Sequence, residues 1–245
     1  MRGVLPIAFA LLASVTNAAE KTTRESLGSG GRTRTYYLFV PDSARGQEAV
    51  RLVVLLHGSG RVGTSLTEKW VSLAKKEGFI IAAPDSLRRE GWGVPDDGPD
   101  FIYDLVETLK GTQPIDARRV YLFGHSAGAG HAVALGLMES EYFAGIAVHA
   151  GVLHPSYYPL IGAARRKTPV AIWIGSNDAL FPLPAVRATR DALNSQGFDA
   201  QLNEITNHTH WYYDRAAEIN IKVWAFLQKA RLPGEPKYQR YQIAR

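Results

Sequence analysis

The sequence predicts one doubly wound α/β domain: a mostly parallel sheet with helices on both faces and an antiparallel hairpin at its N-terminal edge. Three observations carry this reading. Short continuous apolar runs such as R-L-V-V-L-L, F-I-I-A-A and R-V-Y-L-F end at glycine, proline or aspartate, the pattern of strands buried on both faces. Stretches with helical spacing of apolar residues alternate with them. The chain has 245 residues, 46% hydrophobic and 21% charged, without internal repeats or low-complexity linkers, which suits one large core.

Residues 22–27, then G-S-G-G, then 33–40 read as two strands joined by a glycine-rich turn, closed by Pro41. Residues 51–56 form a buried strand ending at His57-Gly58. Residues 65–77 place Leu66, Trp70, Leu73 and Ala74 on one helical face, and Gly78 stops that helix. A strand over 79–83 ends at Pro84-Asp85. Residues 88–99, rich in Gly, Pro and Asp around Trp92, read as a surface loop. Next come an amphipathic helix over 100–109, a strand over 120–123 and a helix from Ala127 to about Ser140. Further strands are expected at 146–149, 170–174 and 201–205, and further helices at 184–196 and 216–229.

The termini stand apart. Residues 1–18, with Arg2, an apolar run and Thr16 and Ala18 ahead of the break, have the form of a secretory signal peptide cleaved after Ala18. Residues 19–230 are then the catalytic domain of an exported chain, secreted or periplasmic. Residues 231–245 form a basic tail, expected as a loosely attached extension. The chain has no cysteine, so neither disulfides nor a lipoprotein anchor is expected. No apolar run is long enough to span a membrane. The mild excess of Lys and Arg (28) over Asp and Glu (23) forms no basic stripe interleaved with aromatics, so nucleic acid is not an expected partner.

The chemistry centres on F-G-H-S-A-G-A-G at 123–130. A G-x-S-x-G match is weak alone. It gains meaning when a strand precedes it and a helix follows, because the nucleophile must sit on a sharp turn with its hydroxyl exposed at the top of the sheet. That context is present around Ser126. A serine hydroxyl also needs a base, and the base needs an orienting acid. In sheets of this type the chain order is serine, acid, histidine. Of seven histidines only His208 and His210 follow the later strands, in N-H-T-H-W-Y-Y, and either can be the base. The other is then structural or substrate-facing. Asp178 lies just beyond the strand P-V-A-I-W-I-G, where the acid is required. Backbone donors for an oxyanion are expected at Ala127, directly after the nucleophile, and at Ser59 in H-G-S-G. Trp92, Phe181 and Trp211 lie in loops at the same sheet edge and could line a substrate wall. A metal shared by H-T-H and Asp214 lacks a convincing third ligand. No phosphate-cradling loop or dinucleotide fingerprint is present.

Taken together, L-H-G at 56, P-D at 84, I-D-A-R-R-V-Y at 115, G-H-S-A-G at 124, N-D at 177 and H-W-Y-Y at 210 resemble the α/β-hydrolase superfamily. Within it the chain is similar to secreted esterases grouped with poly(3-hydroxybutyrate) depolymerases and feruloyl or acetyl-xylan esterases, over about residues 33–227. The resemblance implies a carboxylic ester substrate, small or oligomeric, a covalent acyl-enzyme and no cofactor. It also favours His210 as the base, since the catalytic histidine of related esterases often directly precedes an aromatic stretch. Ser59 departs from the cysteine that many depolymerases carry after L-H-G. No second, polymer-binding domain and no lid-forming insertion is expected, which favours a soluble or oligomeric ester over a polymer. A peptidase or acyltransferase on the same nucleophile, and a non-catalytic binder on the same scaffold, are the competing expectations.

Overall fold

A computed structural model describes residues 20–240. The signal-peptide reading of residues 1–18 and the last five residues of the tail lie outside the described residues.

The strands are β1 (Thr23–Ser29), β2 (Arg32–Phe39), β3 (Val50–Leu56), β4 (Ile80–Pro84), β5 (Ile115–His125), β6 (Gly145–His149), β7 (Val170–Gly175) and β8 (Ala200–Ile205). They form one sheet in the order β1-β2-β4-β3-β5-β6-β7-β8. β1 and β2 pair antiparallel, as do β2 and β4, and every other pairing is parallel. The fold class expected from the sequence is the one observed. The helices are α1 (Thr64–Glu77), α2 (Pro99–Lys110), α3 (Ala127–Met138), α4 (Tyr158–Ala163), α5 (Leu183–Ser195) and α6 (Ala216–Leu227).

Alternation along the strands divides the core into two layers. Leu52, Val54 and Leu56 of β3 and Leu122 of β5 face α2, α3, α4 and α5. Val53, Leu55, Tyr121 and Phe123 face the opposite layer, where α1 and α6 bring Trp70 and Trp224. Successive side chains of a strand point to opposite faces, so a strand covered on both sides must be apolar throughout. This is why the central runs carry no polar alternation.

Two elements differ from expectation. β5 begins at Ile115 rather than at residue 120, because Val50 of β3 pairs with Ile115 across an irregularity in register. The D-A-R-R segment at its start is polar and only half buried, so its strand character is set by backbone pairing and not by apolarity. The short α4 carries Pro159 and Gly162 in six residues, too few turns for a periodic signal.

The tail is also corrected over its described part. Leu232 is 2% exposed and its amide donates to the Arg118 carbonyl (3.0 Å), while the Arg118 guanidinium donates back to the Leu232 carbonyl. Tyr238 stacks on Tyr103 with ring centroids 3.9 Å apart and its hydroxyl donates to Asp100. Residues 231–240 are therefore packed against the domain. No helix among the described residues is long and apolar enough to cross a membrane.

One buried ion pair organises the loop between β4 and α2. Arg34, on β2, pairs with Asp97 while both side chains are nearly inaccessible to solvent. Its guanidinium also donates to the carbonyls of Asp96 (2.7 Å) and Asp85 (3.1 Å) and lies 3.5 Å over the Phe101 ring. The Asp97 carboxylate accepts the amides of Leu87 (2.9 Å) and Gly93 (3.0 Å). Removing one partner of such a pair leaves an uncompensated buried charge. Asp97→Ala is expected to lower unfolding free energy in urea by roughly 3–5 kcal/mol; a loss below about 1 kcal/mol, the scale of an exposed pair, contradicts this account.

Candidate active site

Strand β5 runs directly into α3 through Ser126, whose backbone takes φ 57° and ψ −119°. A side-chain-bearing residue with positive φ is strained, and such strain persists only where the surroundings over-determine it. Here the surroundings are backbone. The Ser126 amide donates to the His149 carbonyl (3.0 Å), and its carbonyl accepts from the Ala129 amide (2.9 Å). A Cβ on Gly124 would lie 2.1 Å from the Gly128 carbonyl oxygen, and one on Gly128 would lie 2.1 Å from that of Leu56. Only glycine lets the helix cross this close, which accounts for both glycines of G-x-S-x-G.

Ser126, His210 and Asp178 are joined in a line. Asp178 follows β7, and its side chain is 1% exposed. One carboxylate oxygen accepts the amides of Leu180 and Phe181, both at 2.9 Å, and the other lies 2.9 Å from His210 Nδ1. A carboxylate only accepts, so Nδ1 carries the proton and Nε2 is left as the acceptor. Nε2 lies 2.9 Å from Ser126 Oγ, whose hydroxyl donates to it. The His210 side chain is 19% exposed, which leaves a solvent approach to this edge. The loops bearing the acid and the histidine are tied together, since Asn177 donates its amide to the His208 carbonyl and Asn207 donates its amide to Ser176 Oγ, both at 2.9 Å.

The two segments expected to supply oxyanion donors both approach this serine. Ala127 opens α3, and the first amides of a helix have no intrahelical acceptor. Gly58 comes so close that a Cβ on it would lie 3.3 Å from Ser126 Cβ, so the H-G-S-G segment passes beside the serine. The 57–60 segment is braced by the loop after β4. Trp92 Nε1 donates to the His57 carbonyl (2.8 Å), the Ser86 amide to His57 Nε2 (3.1 Å), the Gly60 amide to the Arg89 carbonyl (2.8 Å) and Ser59 Oγ to the Glu90 carbonyl. Burial holds the His57 imidazole below its ordinary pKa, consistent with the bare Nε2 that this contact requires.

The four side chains expected around the substrate divide. Phe181 is half-buried with its ring 5.6 Å from that of His210. Trp211 is 45% exposed and lies against Tyr213, with ring centroids 5.0 Å apart. Trp92 is not a free wall: its ring packs between His57 (4.9 Å) and His131 (5.3 Å), and its N–H is committed to His57. His208 is corrected as well. It is 4% exposed and turned inward, with Nε2 3.1 Å from His149 Nε2, so it does not face a substrate. The two histidines of H-T-H thus engage different partners.

A cluster of buried imidazoles behind the serine was not expected. His125 and His149 are register partners on β5 and β6, with their Nδ1 atoms 3.1 Å apart, and His149 continues to His208. The ring of His125 lies 5.2 Å from that of His210. Desolvation, followed by the proximity of His210, pushes His125 down to about 3, and desolvation pushes His131 down to about 4. His149 and His208 are lowered too, burial being the main cause in both. Strand register brings His125 beside His149 and the loop after β8 folds His208 onto them, so no sequence spacing could have revealed the cluster.

The chain belongs to the alpha/beta hydrolase family, whose model matches residues 53–240. It is 31% identical over 178 residues to a protein of Nocardia uniformis subsp. tsuyamanensis named provisionally as esterase NocK, covering 66% of this chain and 50% of that one. It is 26% identical over 215 residues to a poly(3-hydroxybutyrate) depolymerase of Ralstonia pickettii, covering 74% and 44%. It therefore spans about half the length of the curated relatives it matches. Among solved structures, a ferulic acid esterase superposes with a TM-score of 0.71 at 16% identity, over 86% of this chain and 98% of that one.

The buried histidines set a pH dependence. Their folded pKa values lie below the unfolded one, so the unfolded chain binds more protons between the two and stability falls as pH falls. The loss begins below about 6.5 and grows by about 1.4 kcal/mol per pH unit for each such group until its folded value is reached. Urea unfolding midpoints should therefore drop steeply between pH 7 and pH 5, on the way to the folded values near 3 and 4. A flat profile across that interval contradicts the assignment of neutral buried imidazoles.

Proposed function

We propose that the protein is an exported serine esterase acting on small or oligomeric carboxylic esters through Ser126, His210 and Asp178. The observation that carries this reading is the unbroken pair of 2.9 Å hydrogen bonds from Asp178 through His210 to a serine on a positive-φ turn. The names of the relatives, an esterase and a depolymerase of a polyester, agree with an ester carbonyl as the target.

In the proposed reaction His210 Nε2 takes the Ser126 proton as Oγ attacks the carbonyl carbon. Asp178, held by two amides, keeps the imidazole oriented and stabilises the imidazolium that forms. The negative oxygen is bound by the amides of Ala127 and Ser59, the former at the positive end of α3. Collapse expels the alcohol, which takes the proton from His210, and leaves the acyl group on Ser126. Water, deprotonated by the same nitrogen, then releases the acid and restores the serine.

Ser126→Ala and His210→Ala are each expected to lower kcat/KM for p-nitrophenyl acetate by at least about a thousandfold. His208→Ala should reduce turnover far less, because its ring faces His149. Retained turnover in Ser126→Ala, or a greater loss in His208→Ala than in His210→Ala, overturns the assignment.

A further inference from the structure

Nine arginines of the described residues (Arg32, Arg34, Arg45, Arg119, Arg165 and four others) sit in ion pairs with carboxylates. Arg61, Arg88 and Arg89 are among those that do not, and all three are exposed on the two segments beside the serine. Arg61 and Arg89 are drawn together by the bond from the Gly60 amide to the Arg89 carbonyl. The guanidinium of Arg61 reaches across from the oxyanion segment to the histidine loop, 5.1 Å over the Trp211 ring and 5.4 Å over that of Tyr213. The aromatic faces hold the cation in place without neutralising it. The acids that line the same cleft are engaged elsewhere or unpaired with it: Asp85 accepts the Gly63 amide (2.7 Å), and Glu68 takes part in no ion pair with Arg61. A cleft of about 570 Å³ opens beside Arg61 and Arg89, with Ser65 and Glu68 on its wall.

The position of the leaving group links this cation to the chemistry. His210 must deliver a proton to the alcohol oxygen, so that oxygen has to lie beside His210 Nε2, next to the loop that carries Trp211 and Tyr213 and holds Arg61 over them. We propose that Arg61 is a specificity-determining residue that selects esters whose alcohol half carries a carboxylate, as the terminal ester of a hydroxyacid oligomer does. Guanidinium presents a planar pair of donors that matches a carboxylate, and stacking on Trp211 and Tyr213 pre-orients it. The step itself is the one described above: the ester C–O bond breaks, the hydroxyacid leaves with the proton from His210, and the acyl group remains on Ser126. The inference rests on the esterase reading and adds the charge of the leaving group.

The test compares 3-acetoxybutyrate with its neutral amide, 3-acetoxybutyramide, by acetate release. The acyl side is controlled by p-nitrophenyl hemisuccinate against p-nitrophenyl butyrate. The full-length enzyme should favour the anionic alcohol by about tenfold or more in kcat/KM at low salt, with the preference shrinking at about 0.5 M NaCl. Arg61→Gln should collapse that ratio toward one and Arg61→Glu should invert it. Arg61 is exposed, so both variants keep the core intact. Equal rates for acid and amide, a ratio untouched by Arg61→Gln, or a preference confined to the acyl side overturns the proposal while leaving the esterase reading intact. Failure to cleave any of the four esters overturns both.

Discussion

The close crossing of β5 and α3 over the end of β3 is the constraint on which the site depends. Backbone meets backbone there, with Gly124 against Gly128 and Gly128 against Leu56, at separations that admit no Cβ. That contact forces the intervening residue into a positive-φ turn, and the residue is Ser126. The same crossing lifts the Ser126 side chain out of the sheet toward His210. It also leaves the start of α3, where a helix has amides without intrahelical acceptors, directly beside Ser126. The strain is local and the close packing that holds it is global, since β3 and β5 are central strands buried on both faces.

Around this crossing the remaining polar groups are committed to holding loops. Arg34 and Asp97 lie under the loop after β4, and that loop grips the 57–60 segment through Trp92, Ser86, Arg89 and Glu90. The chain of support therefore runs from an N-terminal strand to the backbone beside the serine. On the other side, His125, His149 and His208 form a buried uncharged cluster behind His210. Neutral imidazoles contact one another there, so no buried imidazolium stands behind His210. Burial is the principal cause of that neutrality, so the arrangement is tied to the integrity of the fold.

Much of this was legible in the residues, and the exceptions share a cause. The strands were readable because burial on both faces leaves unbroken apolar runs, and the turn at Ser126 was readable because glycine marks a close approach. Chain order alone left Asp178 as the candidate acid and His208 or His210 as the candidate base, and the loops that carry them meet at Ser126. What could not be read were features created by register and by packing between distant segments. His125 beside His149 follows from strand pairing, and Trp92 between His57 and His131 follows from how a loop folds back. His208 and His210 sit two residues apart, yet backbone direction turns one inward and the other toward the serine. The first residues of β5 escaped notice for a related reason: charged side chains conceal a strand that backbone pairing creates.

The central claim is that the fold itself makes Ser126 reactive through His210, and covalent labelling by a fluorophosphonate tests it most directly. Peptide mapping of the native protein should locate a single adduct on Ser126. Labelling should vanish in urea and in His210→Ala, because a serine outside this turn and without this base is an ordinary hydroxyl. An adduct on another residue, or equal labelling of native and unfolded chains, would contradict the account.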